Sequence, residues 1–502
     1  LTVNGLLPIR NQKSDIKMLR RFSSILAVPE GHPQGWLFGV FAVATIGSVF
    51  GSTYFGMWSV LAVPAALTVL WLAIVDIRKV FFLMLGCIPL SVEQALPGGF
   101  ATDFPSEQLM WLLTLVGGAW FFQNWRKVDA RFLRHPVTLA LLAHLAWIIV
   151  TTVTSQDLYI SFKYLLAKGW YLIVFYFLAA HFLNEKRDFK DLLWWFFVPL
   201  LFAVSTVVVK HAAKGFAFEE VGFVMAPFFR NHVMYACSLA IFLPFVWLGT
   251  YWYKRWSRRW LLLVFGIIVL LIGINFAYTR AAYVALLAAA GIYWAVRKRW
   301  MKIALVGFAL VVTLFVGYVG TRDNWLQFAP EYEKAVTHKR FDRLLDATIK
   351  LEDISTMERV YRWVAASYMM QERPFVGFGP ATFYSFYKNY TVSSFKTYVS
   401  DNPERSGIHN YFLMVAVEQG LPGLAIFLVF CLVVLLKGEQ IFHQTKEIWG
   451  RRVLVASLLC FSLTLLLMLM NDFLETDKIG SLFFMSAAIL VNIDLKNGVK
   501  QQ

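Results

Sequence analysis

The sequence predicts an all-α, polytopic membrane protein with about 12–14 transmembrane helices and one large, partly helical loop on its outer face. Three observations carry this. First, 59% of the 502 residues are hydrophobic and the mean hydropathy is +0.59, whereas soluble domains are roughly 45–50% apolar. Second, apolar runs that approach or reach bilayer length recur at 36–50, 137–153, 170–183, 260–276 and 453–470. Third, the net charge of +16 is not spread evenly. Basic residues gather in alternate short gaps between the apolar runs, as the positive-inside rule requires.

The elements follow in chain order. Residues 1–35 carry Arg10, Lys13, Lys17, Arg20 and Arg21 ahead of any long apolar run. They read as a cytoplasmic arm rather than a cleaved signal peptide. Residues 36–320 form the first eleven spans, expected at 36–51, 58–76, 80–96, 108–123, 137–153, 162–183, 191–209, 231–251, 260–276, 281–296 and 303–320. The inner gaps hold such sets as Lys186, Arg187 and Lys190, or Lys254, Arg255, Arg258 and Arg259, beside the interfacial aromatics Tyr251, Trp252, Tyr253 and Trp256. Residues 52–57, 97–107 and 155–161 contain no Lys or Arg and fall outside. One outer gap departs from the rule with Lys210, Lys214 and Arg230. This distribution makes the basic balance a topology signal and excludes nucleic-acid binding as its explanation. Cys87, Cys237, Cys431 and Cys460 all lie in apolar runs, with neither metal-ligand spacing nor a disulfide framework.

The hydrophilic stretch 321–407 is expected on the outer face. Within it Val360, Trp363, Val364 and Tyr368 recur at helical spacing. Ser355 and Glu358 read as a capping box, Pro374 should end the helix, and Gly377-Phe378-Gly379-Pro380 should turn the chain. Residues 408–502 hold the last spans, at 408–436, 453–470 and 479–493.

Chemistry points to the junction of the loop and the twelfth span. His409 sits at the entry to that helix and on its own reads either as a loop histidine packed at the interface or as a general base, since the positive end of the dipole there disfavours a charged ring and leaves the neutral imidazole a base needs. Asn410 follows it, and Pro422 should kink the helix below. Glu418, more than two turns on, is expected to pair with a buried cation. Arg280 lies at the outer end of a span, and Arg230 opens another from outside. Lys168 lies within the sixth span, where an ionised group is costly, and reads as a phosphate ligand or as the partner of an acid. Arg359 and Arg362 read as a solvated helix face ahead of a glycan contact.

His409-Asn410, nine residues, then Gly420-x-x-Gly423 resembles the signature of the O-antigen ligase and O-antigen polymerase superfamily, bacterial inner-membrane enzymes that move lipid-linked glycans. Thr279-Arg280-Ala281-Ala282 resembles the family's segment at the outer end of a helix, although serine and glycine are common there at the positions of Thr279 and Ala281. Residues 355–363 with 374–379 resemble its loop segment. The resemblance implies a GT-C-like glycosyltransferase, most like O-antigen ligase, with its active site facing the periplasm. It implies a donor glycan on undecaprenyl diphosphate and an acceptor hydroxyl, for a ligase a sugar of lipid A–core. His409 would be catalytic with Asn410 supporting it, and Arg280, Arg230 and Lys168 would hold the diphosphate. No cofactor or metal is then expected, because guanidinium groups supply the charge a metal would. Polymerization of lipid-linked repeats, O-linked glycosylation of protein, and transport of a lipid-linked glycan are the alternatives. Transport fits less well, because the chain carries no internal repeat.

Overall fold

A computed structural model describes residues 43, 45–48, 62–96, 100–124, 129–320, 354–392, 400–402 and 406–499. The expected arm at 1–35, nearly all of the first span and the first part of the loop, at 321–353, lie outside the described residues. Among the described residues the protein is a helical membrane bundle. Nine helices are long and apolar enough to cross a bilayer.

The chain runs through α1 (Ala62–Val75), α2 (Ile77–Cys87), a hairpin of β1 (Val92–Leu96) and β2 (Phe100–Phe104), and α3 (Ser106–Asn124). Then come α4 (Pro136–Val153), α5 (Leu158–Phe182), α6 (Lys186–Ala213), α7 (His232–Gly249), α8 (Arg258–Phe276), α9 (Arg280–Lys298) and α10 (Met301–Gly320). The loop helix is α11 (Ile354–Glu372). The last three are α12 (Tyr411–Gln444), α13 (Ile448–Leu467) and α14 (Asp477–Val499). Their starts follow the local sequence. Pro136 occupies the first turn of α4, where its missing N–H costs nothing. Glu185 and Asp188 form a reciprocal capping box on α6. Ser257 caps α8 through the Trp260 N–H.

The bundle is built around α13 and α14, which are respectively 78% and 89% buried over their apolar windows, whereas α10 is only 6% buried. A helix apolar on every side belongs in such a core or in a membrane. Helix α13 packs on α7, α9 and α14, and α4 packs along α12.

The expected third span, 80–96, is a correction. Its helix stops at Cys87, passes through a short turn containing Pro89 and becomes the first strand of the antiparallel hairpin, with Val92 opposite Phe104. Polar anchoring holds the hairpin at the end of the bundle where α14 begins. The Ser91 and Ser106 hydroxyls donate to Asp477 at 2.7 and 2.6 Å, and the buried Lys478 donates to the Ser91 carbonyl at 3.2 Å. The apolar run through 96 therefore covers a hairpin rather than a longer helix.

The kink expected near Pro422 occurs two residues earlier. Gly420 has φ 73° and ψ 175°, inside α12, a backbone region that essentially only glycine occupies. The opened turn exposes carbonyls that the helix no longer uses, and the loop after α11 takes them. Phe378 N–H donates to Val417 O at 3.0 Å and Gly379 N–H to Glu418 O at 2.9 Å, while Leu421 N–H donates to Pro374 O at 2.8 Å. Trp147 Nε1 of α4 donates to Gln419 O at 2.8 Å. Helix α11 ends at Glu372, ahead of Pro374, and Gly377 and Gly379 take φ of 68° and 110° in the expected turn. Above this seam a second apolar cluster, including Tyr361, Ala365, Met369, Phe383 and Tyr387, closes onto Ile408 and Val417.

A Cβ on Gly420 would lie 2.1 Å from Phe375 O, a backbone atom that cannot swing away. Gly420→Ala should therefore cost about 3 kcal/mol or more in stability, read as a lower midpoint of thermal unfolding in detergent. An unchanged midpoint would refute the seam as a structural element.

Candidate functional site

The site lies at the end of the bundle where α12 begins. His409 immediately precedes the cap of that helix, and Asn410 is the cap, its side-chain oxygen accepting the Leu413 N–H at 3.0 Å. Asn410 thus fixes the helix start against which His409 is held. His409 takes φ 58°, a left-handed conformation that histidine tolerates better than most residues. Its N–H donates to Asp472 Oδ2 at 3.4 Å, and its Nδ1 stands 3.9 Å from Asp472 Oδ1. Gly407 makes this approach possible, because a Cβ there would occupy the position of Asp472 Oδ2.

Three influences surround the imidazole. Burial, then the positive charges of Arg359 and Arg362, hold its pKa well below the ordinary value, so the ring is neutral at neutral pH. About 31% of the side chain still reaches the surface, which leaves it accessible to a substrate. Burial raises the pKa of Asp472 despite the N–H that it accepts from His409. The arrangement is a neutral imidazole whose Nδ1 stands just beyond hydrogen-bond distance of a carboxylate, which suits it to take up a proton.

Lys168 lies within 2.6 Å of Glu475 Oε1. The same oxygen accepts from the Tyr164 hydroxyl at 2.9 Å and the Tyr411 hydroxyl at 2.8 Å. Tyr171 donates to the Glu475 carbonyl at 2.9 Å. Of the two sequence readings for Lys168, its partner here is the acid. The lysine is 4% exposed and Glu475 24%, so the carboxylate is the more accessible member of the pair. Glu475 and Asp472 share one short connection between α13 and α14, which joins the lysine cluster to the histidine.

The arginines divide. The Thr279 hydroxyl donates to His232 O at 3.4 Å, which brings the start of α9, and so Arg280, beside the start of α7. Two helix N-termini at one place favour an anion. Arg359 lies near enough to His409 for its charge to bear on the ring. Arg230 stands more than half exposed, 3.8 Å from Glu93 of the hairpin. Arg362 overturns the solvated-face expectation. It is 5% exposed, donates to Gly407 O at 3.1 Å and pairs with Glu358 at 3.3 Å. Glu358 also accepts from Ser400 at 2.6 Å, while the Ser355 side chain of the expected capping box lies outside the described residues. Glu418 is a second correction. Its carboxylate accepts the N–H groups of Ala381 and Phe383 at 2.8 and 3.2 Å, not a cation, and so pins the loop to the kink.

Asp472 and Glu475 were missed from the sequence. Their signal was the segment Asp472, Glu475, Asp477, three acids within six residues between two of the most apolar runs. A soluble turn explains such a segment as well, and nothing in it points 63 residues back to His409.

Residues 265–428 match the family model described as O-antigen ligase. A search of curated proteins finds no match to the chain. The matched segment contains Arg280, Arg359, Arg362, His409 and the Gly420 kink. Lys168, Arg230, Asp472 and Glu475 come from outside it, so the fold completes around the matched segment what that segment alone does not contain.

Removing one member of the Lys168–Glu475 pair strands the other with little solvent. Lys168→Met should cost about 3 kcal/mol. In a double-mutant cycle Lys168→Met/Glu475→Gln should be more stable than the two single losses summed. Additive losses would show that the two charges do not stabilise each other.

Proposed function

The chain carries an O-antigen ligase family domain across residues 265–428, and on that premise we propose that it transfers a glycan from undecaprenyl diphosphate to an acceptor hydroxyl at the periplasmic face of a bacterial inner membrane. The most specific form of this reading is ligation of O-antigen to a sugar of lipid A–core, by a GT-C-like enzyme that needs no metal. The observation that carries it is the neutral His409 beside Asp472, under the charges of Arg359 and Arg362, at the end of the bundle where α7, α9 and α12 all begin.

In this mechanism the acceptor oxygen attacks the anomeric carbon. The bond from that carbon to the diphosphate oxygen breaks, and the configuration inverts. His409 Nε2 takes the hydroxyl proton. Asp472 accepts from Nδ1–H after a small closure of the 3.9 Å gap, which selects the tautomer with Nε2 free. The leaving group is undecaprenyl diphosphate, already a good one. Its developing charge meets Arg280 at the start of α9, with Arg230 and Arg359 flanking, where guanidinium groups bind phosphate oxygens through paired donors. Lys168 contributes positive charge beneath the site while Glu475 and the three tyrosines hold it in place.

Purified protein supplied with a lipid-diphosphate-linked glycan and lipid A–core should yield modified lipid A–core in the presence of EDTA. His409→Ala should reduce the rate by about 10²–10⁴-fold with unchanged thermal unfolding. Normal transfer by that variant would sink the assignment, and longer lipid-linked chains with unmodified core would replace ligation by polymerization.

The pH profile adds a second test. Because burial and the two arginines hold the His409 pKa down, its protonation should begin only at pH values below its ordinary titration near 6.5. The acidic limb of the transfer rate should therefore lie below pH 6, and Arg359→Gln should move it upward. A limb at the ordinary value, unmoved by Arg359→Gln, would show that the arginine charge does not reach the ring.

A further inference from the structure

At the end of the bundle opposite His409 lies an open groove of about 700 Å³ between the starts of α6 and α8. Its position at that end is fixed by Lys186, next to the groove, which pairs with Glu447 at the start of α13 at 2.6 Å, whereas the other end of α13 leads to Asp472. The site described above uses none of the groove residues.

Four cations line it, namely Arg187, Lys190, Arg258 and Arg259, against the single acid Asp191. Asp191 stands 3.8 Å from Arg187. Among the described residues no carboxylate lies within ion-pair distance of Lys190, Arg258 or Arg259. Positive-inside topology accounts for basic residues in this gap, but it does not require them to converge on one concavity, nor to stay without acids. A tryptophan and a tyrosine close the groove. Trp194 Nε1 donates to the Tyr253 hydroxyl at 2.6 Å, and Lys190 and Arg259 both stand over the Tyr253 ring, at 5.5 and 5.7 Å.

The walls then change character along the helix axes. Lys190, Trp194 and Val198 follow at four-residue intervals on α6, and Arg258 and Leu262 do so on α8, so each row lies on one helix face. Val198 and Leu262 are 49% and 38% exposed. One continuous surface thus carries cations at the membrane boundary, an aromatic pair below them and bare aliphatic side chains toward the bilayer interior. A soluble anion would use only the top of it. A lipid with an anionic phosphate headgroup would use all of it, with phosphate oxygens on the guanidinium groups and an acyl chain along Val198 and Leu262.

We propose that this groove binds an anionic phospholipid of the leaflet at this end of the bundle, its phosphodiester held by Arg258, Arg259 and Lys190. The site is independent of the transfer reaction, so its test stands whatever the protein's substrate.

The test uses full-length protein in neutral detergent, titrated separately with phosphatidylglycerol, phosphatidylcholine and inorganic phosphate. Binding is read by native mass spectrometry and by the midpoint of thermal unfolding. Phosphatidylglycerol should bind at least about tenfold tighter than phosphatidylcholine and raise the midpoint. Inorganic phosphate at the same concentration should do neither. In Lys190→Gln/Arg258→Gln/Arg259→Gln the preference should fall to within about twofold, with the lipid-free midpoint unchanged. A retained preference in that variant would place the anionic lipid elsewhere and overturn the proposal. Equal binding of the two lipids by the unaltered protein would overturn it, and so would stabilisation by inorganic phosphate alone. If the triple variant loses its lipid-free midpoint, Arg258→Gln alone decides: an undiminished preference there refutes the site, and a reduced one supports it.

Discussion

The structure depends on one broken turn. A membrane helix normally satisfies all of its own backbone groups, and an opened turn at depth survives only where other protein groups replace the lost hydrogen bonds. In α12 the break at Gly420 releases carbonyls of residues 417–419, which accept from Phe378, Gly379 and Trp147. The same carbonyls that would destabilise an isolated helix therefore become the docking points of the outer loop. Glu418 adds its carboxylate to two further loop amides. The Gly-x-x-Gly spacing has a physical meaning in this arrangement. Gly420 allows the backbone reversal, and Gly423 lets Trp147 approach closely enough to reach the freed carbonyl, since a Cβ there would stand 3.0 Å from the indole.

From that seam the position of the site follows. Loop helix α11 cannot drift from the bundle, because its C-terminal connection is stitched to the kink, and its other contacts, Arg362 to Gly407 O and Trp363 Nε1 to Ile408 O at 3.1 Å, grip the two residues before His409. The histidine is held from three directions. The loop grips the backbone ahead of it, Asn410 caps the helix after it, and Asp472 approaches from the connection between α13 and α14. An imidazole fixed in this way has little orientational freedom left to lose, which is where much of the advantage of a positioned group lies. The positive charges of Arg359 and Arg362 keep the ring unprotonated.

Much of this was legible in the sequence. Hydropathy placed the long spans because a bilayer imposes a length on each of them, and the charge alternation placed their ends. The helix start at Asn410 was legible in its capping side chain, while the kink, expected at Pro422, lies at Gly420. The failures share a cause. The run through residue 96 was read as one span because apolar content alone does not separate a helix from a short hairpin. Helical spacing puts Arg362 on a solvated face, whereas its guanidinium reaches Gly407 O, whose approach no helical period reveals. Glu418 was matched with a cation by charge, although its partners are backbone amides, which have no sequence signature.

Asp472 and Glu475 carry the same point further. Each is unremarkable in its own segment, and each acquires a role only from residues brought to it by the packing of α14 against α5 and of α13 against α12. Helices in a bilayer gain little from apolar contact with one another, since lipid is as apolar as a side chain. Close packing and buried polar bonds then have to fix the arrangement, and Lys168, Glu475 and the three tyrosines supply such bonds where α5, α12 and the last connection meet. Glu475 therefore serves packing and charge at once. It joins α5 and α12 to the last connection of the bundle, and it offsets a lysine that would otherwise be buried alone. Glu475 and Asp472 stand on one connection between α13 and α14, so any change that reorders the lysine cluster should also be felt at His409.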